Sequence, residues 1–223
     1  MQLTAHYISH MPKTTTCEQF MTGVTAYIRK HYKKSMMQRL SEHPEDRLTC
    51  SAIVYSRVCR EIWMIGDCQC LVSPLTPNSS PQYYDNPKPS EAELAALRAK
   101  EARRLLDNGH TIDDLLHDDI ARRAIIPRMI DTMRQQNISY SVIDGFPIDW
   151  KHIRVITLNF QPWEIVMASD GYPFLCPTLE ESERRLRQQS EDDPLNIGTF
   201  QATKAFHPDN NSFDDRSYIR FRV

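Results

Sequence analysis

Three aspartates stand at the ends of apolar runs: Asp67 after EIWMIG, Asp170 after EIVMAS, and Asp214 ahead of the closing run from Tyr218 to Phe221. Two of them touch a glycine in sequence, Asp67 after Gly66 and Asp170 before Gly171. A run as apolar as Ile165-Val166-Met167-Ala168 reads as a buried strand, and an acid at its end needs a partner. One partner is a metal. Hard divalent cations take several oxygen ligands, glycine lets backbone and water come close, and separate strands can aim acids into one cleft. Two such ions hold a bridging water, lower its pKa and direct the hydroxide at an electrophile such as phosphorus. The competing use is structural: Asp-Gly is a common turn dipeptide, and an aspartate at a strand end can cap backbone amides.

The elements that must position these acids fit one core, since 223 residues is within reach of a single domain. With 40% hydrophobic and 25% charged residues the composition is that of a soluble globular chain. A formal net charge of −2 opposes a generally basic nucleic-acid surface, and the cations from Arg29 to Lys34 read as a solvated helix face. Six cysteines without a Cys-x-x-Cys framework indicate neither a zinc site nor a disulfide scaffold, so a reduced, cytoplasmic setting is expected. No run approaches the ~20 apolar residues that cross a bilayer, so no membrane partner is expected.

Phe20, Val24, Tyr27 and Ile28 recur at helical spacing near the start. LTCSAIVYS (48–56) and EIWMIGDCQCLV (61–72) predict an antiparallel hairpin, and the five prolines of 73–90 predict a loop or flap. Ser90 with Glu93 predicts a capped helix to about Leu106, a second helix starts near Thr111, and Pro127 breaks or restarts it. The acids Asp113, Asp114, Asp118 and Asp119 suit the first turn of a helix better than a metal. SYSVIDGFP (139–147), HIRVITLNF (152–160) and WEIVMASDG (163–171) predict a three-stranded meander, followed by a helix over Leu179–Gln189 and a last alternating strand. Helices between two groups of short antiparallel strands indicate a layered α+β fold.

Taken in order, TCSAIVYSRVCREIWMIGDCQCLV, YSVIDGFP, IVMASDGYPF and FDDRSYIRF resemble the PPM-type (type 2C) metal-dependent serine/threonine protein phosphatases over about residues 15 to 223. That family has an early strand pair of the form TA…GDSR, a strand ending in SDG, and an Asp-Asn or Asp-Asp pair before a last strand. The resemblance implies an α+β fold of αββα sandwich type, two antiparallel sheets flanked by helices. It implies a single domain over 1–223 with a Pro-rich loop and helical insert at about 73–137. It implies Mg²⁺ or Mn²⁺ as cofactor, with Asp170 and Asp214 as ligands and Asp67 supporting a third, looser ion, and no catalytic residue separate from them.

The chain departs from the pattern in places. Cys68-Gln69 stands for Ser-Arg, Asp215 for the frequent Asn, and the early Arg and DGxGG motifs are not found. The only glycine before Gly66 is Gly23, and Asp144-Gly145 falls at a turn between later strands. The chain is therefore expected to be N-terminally truncated relative to the family, with an open sheet edge that a dimer or a further segment would cover. The implied function is a metal-dependent phosphatase-like domain acting on phosphoserine and phosphothreonine proteins, impaired or inactive as this chain. The alternative is a non-catalytic pseudophosphatase module that binds a protein partner, and a third reading is an unrelated α+β protein.

Overall fold

Thr16 opens the first long helix by a reciprocal cap: its hydroxyl accepts from the Gln19 amide and the Gln19 side chain accepts from the Thr16 amide. That helix, α2 (Cys17–Arg29), follows a shorter one, α1 (Gln2–His10), and precedes the short α3 (Met37–Glu42). It buries Cys17, Phe20, Met21, Val24 and Ile28 against Val54, Trp63, Ile65 and Ile143; of the four residues that its spacing marks, Tyr27 is only half-buried. The Phe20 and Trp63 rings stack with centroids 5.7 Å apart. This belongs to a computed structural model that describes residues 1–223.

The chain divides into two units: Met1–Gln69, Tyr84–Lys88 and Met133–Pro162 form one, and Cys70–Tyr83, Pro89–Thr132 and Trp163–Val223 the other. Helices and two antiparallel sheets, of three and four strands, make it the mixed α+β class expected. No helix is long and apolar enough to cross a membrane.

The first unit carries a sheet in the order β1 (Ala52–Ser56), β2 (Glu61–Ile65), β5 (Arg154–Thr157). β1 and β2 are the expected hairpin, with Val54 opposite Trp63. The second apolar run does not continue as one strand, however. It breaks at Gly66, where φ is +80° and an added Cβ would lie 2.6 Å from the Ser51 Cβ, and β3 (Gln69–Pro74) joins the other sheet. Residues 139–147 are not a strand either. Ile143 makes a single bridge to Cys50 and the chain then turns Asp144 into the interior.

The fully buried Asp144 accepts from the Phe146 amide (2.8 Å), Asn137 Nδ2 (2.9 Å) and Arg47 Nη1 (3.0 Å). Burial pushes its carboxyl up, against the pull of the Phe146 amide and of Arg47. The Arg47 guanidinium in turn lies 3.7 Å over the Phe146 ring.

The four-stranded sheet runs β4 (Gln82–Asp85), β3, β6 (Trp163–Ala168), β7 (Tyr218–Arg222). The Pro-rich stretch thus contains a strand. β5 and β6 lie in different sheets, so the expected meander does not form; Arg60 ties down the intervening turn, accepting from the Leu158 amide (2.8 Å) and donating to the Asn159 carbonyl (2.5 Å). In the second unit, α4 (Glu91–Asp107) starts where expected, although the Ser90 side chain makes no capping bond. Thr111 and Asp114 cap α5 (Ile112–His117) reciprocally. α6 (Ile120–Met133) runs through Pro127 instead of breaking there, its earlier turns held by the burial of Ala121 and Ile125.

Arg98 of α4 is fully buried and donates from Nε to Asp119 (2.9 Å) and from Nη1 to the Leu195 carbonyl (2.8 Å). Asp119 also accepts from the Arg122 amide, so this acid serves a helix start and an ion pair. α7 (Leu179–Asp192) is capped by Thr178 and completes the second unit's helices.

Candidate functional site: a charged cleft at the end of the second sheet

Ala168 at the end of β6 pairs with Tyr218 at the start of β7, and the pairing continues beyond both strands. The Ser169 amide donates to the Ser217 carbonyl (3.2 Å), and the Ser217 amide donates to the Ser169 hydroxyl (2.9 Å). Ser169-Asp170-Gly171 therefore runs beside the segment from Asp215 to Ser217, which Asp214 immediately precedes. Gly171 is what allows the approach. An added Cβ would lie 2.9 Å from the Arg216 Cβ and 3.0 Å from the Asp215 carbonyl carbon, and closer still to that carbonyl's oxygen. Two of the three predicted acids, Asp170 and Asp214, thus sit on adjoining segments at one end of one strand pair.

A cleft of about 790 Å³ opens there, lined by Tyr172, Glu183, Lys204, Asp214, Asp215, Arg216 and Tyr218 among others; Asp214 is in its lining and Asp170 is not. Asp214 Oδ1 accepts from Lys204 Nζ (2.6 Å) and from the Asp215 amide (2.8 Å). Glu183, on the first turns of α7, accepts from Arg216 Nε (2.8 Å) and Nη2 (3.0 Å) and from the Tyr172 hydroxyl (2.8 Å). The two-pronged Arg216 bond holds the Glu183 carboxyl below its usual range, although burial opposes it. Burial, and then Glu183, push Tyr172 up to about 12, so this phenol stays a hydrogen-bond donor at neutral pH. The cleft wall is a chain of paired opposite charges.

Asp67 lies in the first unit, just past β2. Its carboxylate accepts from the Ser51 hydroxyl (2.5 Å) and pairs with Lys88 Nζ. Burial pushes this carboxyl up, but the Lys88 charge and hydrogen bond, helped by Ser51, outweigh it and hold it below the usual range. Of the two uses weighed for Asp67, the contacts are of the structural kind, with an ion pair in place of a backbone cap.

A magnesium or manganese centre asks for several oxygen ligands converging at short range. No group of three or more His, Cys, Asp or Glu side chains has that arrangement, and at both Asp67 and Asp214 a lysine ammonium stands among the donors. As folded, these residues do not fit a two-ion centre. Sequence reading missed Glu183, Lys204 and Arg216, which α7 and the 193–216 segment bring to the cleft with no spacing that relates them to Asp170. Tyr172 carried a signal, as it follows the Asp-Gly dipeptide directly.

Fold and cleft together define a mixed α+β protein with a charged cleft at the end of its β6–β7 pair. No protein-family model matches the chain, and no curated protein matches it.

Proposed function

We propose that this chain is a PPM-like phosphatase domain, directed to phosphoserine and phosphothreonine in protein partners, in which hydrolysis is impaired. One observation carries the reading: the lateral approach of 169–171 to 215–217, permitted by Gly171. Sequence order alone does not require that approach, and the family resemblance does. Mg²⁺ or Mn²⁺ is the ion class that belongs with the reading, with Asp170 and Asp214 as the acids toward it. An acid of the DGxGG kind, able to bridge two ions, is not among these residues. A cytoplasmic location belongs to the same proposal.

The second reading, a non-catalytic pseudophosphatase module, is favoured by the lysines at Asp67 and Asp214. Both readings expect recognition of a phosphorylated partner, and they differ in turnover. Fluorescence anisotropy with matched phosphorylated and unphosphorylated Ser/Thr peptides tests the first point, and hydrolysis of the same peptides with Mn²⁺ tests the second. The expected result is preference for the phosphorylated peptides with hydrolysis near the blank. Absence of any preference, with no hydrolysis, refutes the phosphatase-like reading, and robust hydrolysis lost in Asp170→Asn refutes the impairment.

A further inference from the structure

We propose that Lys204 is a built-in counter-ion for Asp214 that keeps divalent metal out of the cleft. The inference rests on the phosphatase-like reading and deepens it by naming what takes the ion's place. Lys204 Nζ lies 2.6 Å from Asp214 Oδ1, and the Asp215 amide takes the same oxygen at 2.8 Å. Divalent ions bind a carboxylate oxygen at roughly 2.0–2.6 Å, so the ammonium fills the space that an ion on Oδ1 needs. An ion approaching the other oxygen would still meet a like charge within about 5 Å, in a place where both side chains are only 29% exposed and water screens poorly.

Lys204 is also held, not draped. The carbonyl of Lys204 accepts from Asn196 Nδ2 (3.1 Å), and Asn196 is fully buried. On either side, the Thr203 carbonyl accepts from Arg122 Nη1 (2.8 Å) and the Ala205 amide donates to Asp119 Oδ2 (3.1 Å). Three consecutive residues are thus tied to α6, its start and the buried asparagine, and the lysine between them is presented to Asp214 from a fixed backbone. In the first unit Asp67 likewise has a lysine partner, Lys88. Asn86, two residues before Lys88, donates to the Gly66 carbonyl (3.0 Å) and the His152 carbonyl (3.1 Å), which fixes the lysine's segment beside Asp67.

The test is Mn²⁺ binding by the full chain, followed by calorimetry and by loss of the free-ion paramagnetic resonance signal, in the wild type, Lys204→Gln, Lys204→Arg and Lys204→Gln/Asp214→Asn. Circular dichroism and thermal melting check that each folds. Lys204→Gln is expected to bind Mn²⁺ at least about tenfold more tightly than the wild type, the factor that an ordinary close charge coupling carries. Lys204→Arg should behave as the wild type, and the added Asp214→Asn should abolish the gain. Lys204→Met, which keeps the apolar stem, replaces Lys204→Gln should that variant lose its fold. Equal affinities for wild type and neutral variant, no binding by either, or a gain that survives Asp214→Asn each overturn the proposal. Phosphopeptide preference read on the same samples separates the two failures: its absence refutes the phosphatase-like reading, whereas a missing Mn²⁺ gain with preference intact refutes the counter-ion alone.

Discussion

Alanine at position 171 adds one methyl group where the end of β6 passes the segment ahead of β7. Gly171 is buried, and its φ lies outside the left-handed region, so its own backbone accepts alanine without strain. At an open site such a change stabilises by about 0.4–1 kcal/mol, through a less flexible unfolded chain. Here the methyl would stand 2.9 Å from the Arg216 Cβ and 3.0 Å from the Asp215 carbonyl carbon. Carbon atoms rest at about 3.5–4.0 Å, so one segment must move by roughly 0.5–1 Å. Both segments are tied by the Ser169–Ser217 bonds, which makes the strain that of overpacking, about 1–3 kcal/mol. The difference is a net loss of about 1–2 kcal/mol, or a fall in melting temperature of roughly 2–8 °C for a chain of this length. Urea and thermal melts followed by circular dichroism read the stability. Amide hydrogen exchange at Ser169 and Ser217 reads the local opening, and both should exchange faster. A Gly171→Ala protein as stable as the wild type, with unchanged exchange at those two amides, would refute the claim that this glycine exists for the close approach.

Asp144→Ala should cost about 3–5 kcal/mol in urea unfolding, because it strands the Arg47 guanidinium, whose side chain is 8% exposed, together with the Phe146 amide; a loss under about 1 kcal/mol would mean that water replaces the carboxylate. Asp67 has a folded-state pKa below that of the unfolded chain, so its contribution is present above the unfolded value of about 3.9 and disappears as pH falls through the folded one. Asp67→Asn should therefore flatten the fall of the urea midpoint in acid below about pH 4, and an unchanged acid limb counts against the Lys88 pairing. Thr111→Ala removes the acceptor for the Asp114 amide and should cost about 1 kcal/mol, read as a shift in the urea midpoint with its slope unchanged.

Local patterns carried much of the fold in the letters. The spacing of Phe20, Val24 and Ile28 forms the buried face of α2, the runs around Val54 and Trp63 pair as a hairpin, and Thr111 caps its helix. Errors arose where a distant group intervened. Residues 61–72 looked like one strand because apolar runs stand on both sides of Gly66-Asp67, yet the Ser51 side chain leaves room only for glycine at 66, and the chain changes sheet there. Residues 139–147 looked like a strand until Arg47, 97 positions before Asp144, drew its carboxylate inward.

The candidate site divides in the same way. Composition and motif order, by themselves, determined the α+β class, the apolar strand that delivers Ser169-Asp170-Gly171, and the candidacy of Asp67, Asp170 and Asp214, because these depend on neighbours along the chain. Only tertiary structure decided that Gly171 lies against the Asp215 carbonyl and the Arg216 Cβ, that Glu183 grips Arg216, and that Lys204 and Lys88 come to the acids. An ion pair acts over a few ångströms of space whatever the separation in sequence, so which charge meets which is fixed by how the elements pack.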